Sequence, residues 1–238
     1  MPVNHFKNNR LKVQKAFIDR NFLIPLTEDD LPLKIVEKNI KGAGKLKTVT
    51  IDNIPVADKI RPCSYVLELE LKGELFSLPE KFRTVEKAIL LLSDKMLHVV
   101  LIEMKSSIDP PIIRQIEDKI KHSIGRTLIF LTHYLFDEPG FNEYDIQFHT
   151  LLLYNSEHLT AGLSSKADPG LEKLDLVRIF QGKSQSLFAK EPLGDEQLVN
   201  VIFMQNKKNN DEFEIDFKNA FAGILDYKKV IAADKTLP

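Results

Sequence analysis

The sequence predicts an α/β protein with a central mixed β-sheet flanked by helices. Three observations carry that expectation. Short apolar runs with strand periodicity fill the middle of the chain. A long helical pattern follows the third of them, and another strand follows the helix. The 238 residues are 43% hydrophobic and 28% charged, as in an ordinary globular protein. They read as a single domain in three parts: a helical N-terminal part (1–45), a core (46–160) and a C-terminal α+β extension (161–238).

The elements follow in order. Residues 6–20 read as an amphipathic helix, with Phe6, Leu11, Val13, Phe17 and Ile18 apolar and Lys7, Arg10, Lys12, Lys15 and Arg20 basic. Thr27-Glu28-Asp29-Asp30 looks like a cap with acids in the first turn, opening a helix to about Ile40. Gly42-Ala43-Gly44 ends it. The pattern then turns extended. Residues 47–54 predict a strand, and 65–71 alternate, with Tyr65, Leu67, Leu69 and Leu71 on one face. Residues 86–92 and 97–105 predict a hairpin around Ser93-Asp94-Lys95-Met96.

Ile108-Asp109-Pro110-Pro111 predicts the start of a long helix reaching about Phe136, with Asp109 as its cap. Ile112, Ile113, Ile116, Ile120, Ile124 and Leu128 form its apolar arc. Residues 144–154 predict the next strand and 164–170 a loop. Strands are expected at 174–180 and 199–204, a polar turn at 206–211 and a helix at 217–227.

Charge and motifs narrow the function classes. The net charge is −1, so the chain as a whole is no generic polyanion binder. Residues 1–50 carry an excess of five positive charges, a basic portion that could meet nucleic acid. A single cysteine, Cys63, excludes an internal disulfide and fits a reducing compartment. The polar start of the chain shows no secretory signal, and no apolar run spans a bilayer, so a cytoplasmic protein without a membrane partner is expected. Lys41-Gly42-Ala43-Gly44-Lys45 has the wrong glycine spacing for a phosphate loop, and Leu46 stands where Ser or Thr should follow. The histidines show no zinc-protease spacing.

The run His98-Val99-Val100-Leu101-Ile102-Glu103-Met104-Lys105 is the most informative. It reads as a buried strand ending in a carboxylate and an amine two residues apart. The side-chain period of a strand is two, so Glu103 and Lys105 share a face. Unpaired buried charge is expensive, and two charges on one face there suggest a use. A carboxylate can hold a divalent cation, and an ammonium can stabilise developing negative charge. If the hairpin folds about Asp94 and Lys95, Leu92 faces Leu97 and Glu86 faces Glu103, with Cβ atoms about 5 Å apart. A one-residue slip would turn Glu86 to the other face and make Asp94 the competing acid.

This layout resembles the PD-(D/E)xK nuclease superfamily over roughly residues 60–155. Glu103-Met104-Lys105 matches its tripeptide, and Gln115, in Ile112-Ile113-Arg114-Gln115-Ile116, matches its helix glutamine. The family's upstream acid is usually Asp. Here Glu86 is the nearest match, with Glu68, Glu70 and Asp94 as rivals. The resemblance implies a restriction endonuclease-like sheet and a catalytic set of Glu103, Lys105, Glu86 and Gln115. It implies Mg²⁺ or Mn²⁺ held by Glu86, Glu103 and the Met104 carbonyl, and cleavage of nucleic acid, with DNA ranked ahead of RNA. A catalytically inactive binding module on the same fold is the alternative. At 100° per residue, Gln115, Lys119, His122 and Arg126 share one helix edge, which could contact phosphates. A homodimer is compatible with this reading, and the C-terminal extension could serve dimerisation or substrate specificity.

Overall fold

A computed structural model describes residues 23–37, 46–56, 64–69, 84–93, 96–135, 145–160, 170–190 and 196–225. The early strands are β1 (Leu23–Pro25), β2 (Leu33–Val36), β3 (Thr48–Asp52) and β4 (Ser64–Glu68). The hairpin strands β5 (Lys87–Ser93) and β6 (Met96–Ile108) precede helix α1 (Pro110–Leu135) and strand β7 (Asp145–Glu157). Helix α2 (Asp175–Phe180), strands β8 (Ser186–Lys190), β9 (Glu196–Gln205) and β10 (Glu212–Asp216) and the single-turn helix α3 (Phe217–Ala220) complete the described chain.

Seven strands form one mixed sheet in the order β1-β4-β5-β6-β7-β9-β8. The pairs β6/β7 and β7/β9 are parallel and the others antiparallel. A second sheet runs β10-β3-β2, with β10 parallel to β3 and β2 antiparallel. The expected α/β class with a central mixed sheet is what the chain adopts. Residues 186–216 do not stand apart as an extension: they supply β8 and β9 to the large sheet and β10 to the small one.

Strand period two separates two cores. On one face of the large sheet Leu67, Leu69, Ala88, Leu90, Leu97, Val99, Leu101, Phe148 and Leu152 pack with Ile113, Ile116, Ile120 and Ile124 of α1. On the other face Val66, Ile89, Leu91, Val100, Ile102, Met104, Leu151 and Leu153 pack with Ile35, Val49 and Ile51 of the small sheet, Phe217 of α3 and Phe221 just after it. The sheet is therefore covered on both sides, which explains why β5 and β6 are near-continuous apolar runs. Each fully buried isoleucine of α1 contributes about 2 kcal/mol of apolar burial.

Helix α1 begins where the sequence places it. The Ile112 N–H donates to Asp109 Oδ1 at 3.0 Å, and the Ile113 N–H to the Asp109 carbonyl at 2.9 Å. Asp109→Ala is expected to lower stability by about 1 kcal/mol in urea unfolding, since it removes this cap. A change within error of zero would show that the N–H is equally satisfied by water.

Three expectations are corrected. The helix expected from Thr27 to about Ile40 is not formed over its described part, residues 27–37. Glu28–Asp30 is a single 3-10 turn, and 33–36 is strand β2. Pro32 is the reason. It forces Leu31 into an extended conformation (φ −94°, ψ 146°), and it offers no N–H to a continuing helix. The strand expected at 174–180 is instead helix α2 from Asp175, because the Leu176 N–H finds a carboxylate cap in Glu117 Oε2 of α1 at 3.1 Å. The expected 217–227 helix stops after one turn, at Ala220. The helix expected at 6–20 lies outside the described residues. No helix among the described residues is long and apolar enough to cross a membrane.

Candidate functional site: a buried carboxylate and lysine cluster

The register of the β5/β6 hairpin positions the site. Leu92 pairs with Leu97 and Lys87 with Ile102, as a hairpin folded about residues 94 and 95 predicts. The Glu86 N–H also donates to the Ile102 carbonyl, at 3.1 Å, so Glu86 stands just beyond the last pair of the ladder. On β6, Leu97, Val99 and Leu101 face α1, so Glu103 and Lys105, two and four residues beyond Leu101, face it too. On β5, Ala88 and Leu90 face α1, and Glu86 stands two residues before Ala88. The two carboxylates therefore enter the same face from neighbouring strands.

Glu103 has no exposed surface. Its Oε1 touches Lys105 Nζ, and Lys119 Nζ, reaching down from α1, lies 2.8 Å from Oε1 and 3.1 Å from Oε2. Glu86 Oε1 is 3.8 Å from Lys105 Nζ and 3.7 Å from Lys119 Nζ. Glu86 Oε2 accepts the Met104 N–H at 3.0 Å, and the Met104 carbonyl accepts Lys105 Nζ at 3.0 Å. Two carboxylates and two ammonium groups thus share one pocket between the sheet and the helix.

The environment separates the two acids. Burial and the neighbouring Glu103 charge push the Glu86 carboxyl well above the usual carboxylate range, against the pull of the two lysines. Burial also works against ionising Glu103, but Lys105 and Lys119 outweigh it and hold that carboxyl below its ordinary value. Burial works against the Lys105 charge as well, and Glu103 and Glu86 outweigh it, so Lys105 is held as an ammonium above its ordinary range. Glu103 is the ionised member of the acid pair, and Glu86 is the one that keeps a proton more readily.

Helix α1 is fixed over the cluster by polar contacts that sequence reading missed. The Val85 N–H donates to Ser123 Oγ at 2.9 Å, and Ser123 Oγ donates to the Lys119 carbonyl at 2.7 Å. Ser123 therefore ties the residue before Glu86 to the turn that carries Lys119. Its one local signal is a hydroxyl set within the apolar stripe between Ile120 and Ile124. Arg126 Nη1 and Thr84 Oγ1 both donate to the Leu69 carbonyl, at 2.7 and 3.1 Å.

Two members of the expected helix edge take other places. Lys119 points inward to the carboxylates instead of outward to phosphates. Arg126 is buried and holds the end of β4, because the helix edge at that depth meets the chain leaving the sheet at Leu69. Gln115 is exposed, and among the described residues no hydrogen bond or ion pair joins it to the carboxylates. His122 is half-buried one turn after Lys119. Among the rival acids, Glu70 and Asp94 lie outside the described residues, and Glu68 closes β4.

The donor set available to a metal is two carboxylates and one backbone carbonyl. These hard oxygen ligands suit Mg²⁺ or Mn²⁺, which retain several waters and need only one or two carboxylates. Among the described residues no group of three or more His, Cys, Asp or Glu side chains forms a cage for a metal. No family model, curated protein or solved structure matches this chain.

Proposed function

We propose that this chain is a metal-dependent phosphodiester hydrolase, an endonuclease of the restriction endonuclease-like type acting on nucleic acid, with DNA ranked ahead of RNA as its substrate. One observation carries the reading: the Glu86 and Glu103 carboxylates converge on the Lys105 ammonium, Glu103 in contact with it and Glu86 at 3.8 Å. The order of hairpin, α1 and parallel β7 is consistent with the nuclease core that Glu103-Met104-Lys105 resembles.

Glu86, Glu103 and the Met104 carbonyl would hold the cation, Mg²⁺ or Mn²⁺. Bound there, the cation supplies Lewis-acid charge to the scissile phosphate and its attacking water. The chain's own groups do the remaining work. Lys105 is fixed by Glu103 and the Met104 carbonyl, so its ammonium orients the attacking water and stabilises the charge that grows on the phosphate. Gln115 and His122 stand on the same helix, nearer solvent, and in this reading would meet the nucleic-acid backbone.

A second reading has an observation of its own. Both carboxylates already have ammonium partners, which suits an inactive nucleic-acid- or protein-binding relative whose acids form a structural ion cluster.

Plasmid DNA, single-stranded DNA and RNA incubated with Mg²⁺ or Mn²⁺ separate the two. The hydrolase reading expects cleavage that falls at least a hundredfold in Lys105→Ala and in Glu86→Gln, with circular dichroism unchanged. Binding without cleavage of any substrate in either metal would reject it in favour of the second.

A further inference from the structure

The position of Lys119 has a consequence for how the site is loaded. We propose that Lys119 is a tethered cation that occupies the metal position, and that a divalent ion enters only by displacing it. The inference rests on the metal reading of Glu86 and Glu103.

The geometry is specific. Lys119 Nζ contacts both Glu103 oxygens, at 2.8 and 3.1 Å, and lies 3.7 Å from Glu86 Oε1. A cation bridging Glu86 and Glu103 needs those same oxygens. An ammonium and a metal ion cannot both sit within bonding distance of them without like-charge crowding in a buried pocket. One lysine must leave.

The two lysines are not equally held. Lys105 springs from the same strand as Glu103, and its Nζ has a further bond to the Met104 carbonyl at 3.0 Å. Lys119 reaches the carboxylates from the opposing helix. One turn back on that helix, Gln115 is exposed, and so is Asp118 beside it. The Lys119 side chain therefore has a path to solvent that needs only rotation about its own bonds. Ser123 anchors the backbone of that turn, so the helix stays in place while the side chain moves. In the metal-free protein Lys119 neutralises a carboxylate that would otherwise be buried without enough partners. It therefore stabilises the empty site and weakens cation affinity with one set of bonds.

Mn²⁺ binding followed by electron paramagnetic resonance tests this on the full chain. Lys119→Met is expected to bind Mn²⁺ at least tenfold more tightly than the wild type. The gain should exceed that of Lys105→Met, which removes an equal charge. Lys119→Met should also melt at a lower temperature without metal, and Mn²⁺ should raise its melting temperature more than that of the wild type. Lys119→Gln keeps hydrogen-bond donors while removing the charge, and it serves if the methionine variant does not fold. Equal Mn²⁺ affinity in wild type and variant, or an equal gain from Lys105→Met, would overturn the role of Lys119 while leaving the metal site intact. No Mn²⁺ binding by any of these proteins would overturn the metal reading itself, and this inference with it.

Discussion

Glu103→Ala is expected to destabilise the protein by about 3–5 kcal/mol, the cost of removing one partner from a buried ion cluster. The glutamate is fully buried, and it is the group on which Lys105 and Lys119 converge. Its loss leaves two ammonium groups facing Glu86 alone, at 3.8 and 3.7 Å. Urea unfolding at neutral pH measures the effect. The double variant Glu103→Ala/Lys119→Met separates the pair from the cavity. If the penalty comes from uncompensated charge, removing Lys119 as well recovers part of the loss, and the two single effects do not add. A loss below about 1 kcal/mol, or strict additivity, would mean that water reaches the cluster and screens it.

This result bears on function because the same bonds serve both readings. A cluster kept only for stability would tolerate replacement of all four groups by well-packed apolar residues, a change that is often neutral or stabilising for buried ion pairs. A cluster kept for chemistry would lose activity under that exchange while the fold survived. The stability of the charge pairs is thus no argument against catalysis.

Much of the site was legible because it depends on local pattern. The short connection between two apolar runs sets the hairpin register as far as Lys87 and Ile102, which leaves Glu86 just beyond the last pair, on the face that carries Glu103. Asp109 and the prolines mark the start of α1, and the isoleucines mark its buried side. What could not be read depends on partners distant in the chain. Lys119 lies at the border of the isoleucine arc, where a lysine ordinarily reaches water. Only the sheet beneath turns it toward Glu103. Arg126 has the same ambiguity and the same outcome, with Leu69 as the distant partner. The run at 174–180 is short and apolar enough for strand or helix, and Glu117, some sixty residues earlier, decides it by capping the helix. Pro32 was the exception: its effect on Leu31 is local, and the acidic cap before it drew the wrong element.

Acid should destabilise the fold through a second buried network, far along the sheet from Glu103 and on its opposite face. Asn200 Nδ2 lies 3.3 Å from His149 Nδ1, His149 Nε2 lies 3.1 Å from His98 Nδ1, and His98 Nε2 lies 3.4 Å from Ser93 Oγ. The chain of contacts crosses β9, β7, β6 and β5. An amide donor at Asn200 makes His149 Nδ1 an acceptor. His149 Nε2–H then donates to His98, and His98 Nε2–H donates to Ser93. One proton per ring satisfies every contact, so both rings are neutral. Burial beside Phe221, and then the His98 neighbour, press the His149 pKa down to about 3, and burial lowers that of His98. The unfolded chain, with a histidine pKa of about 6.5, binds the proton more strongly than the folded one. The stabilisation is therefore complete above about pH 6.5 and is lost progressively as pH falls toward 3. For His149 alone the loss between pH 7 and pH 4 is roughly 3 kcal/mol. Urea unfolding at pH 7, 5.5 and 4 should show this slope in the wild type and a flatter one in His149→Gln, which lacks the titrating ring. Parallel slopes in the two proteins would assign the acid sensitivity to the carboxylates instead.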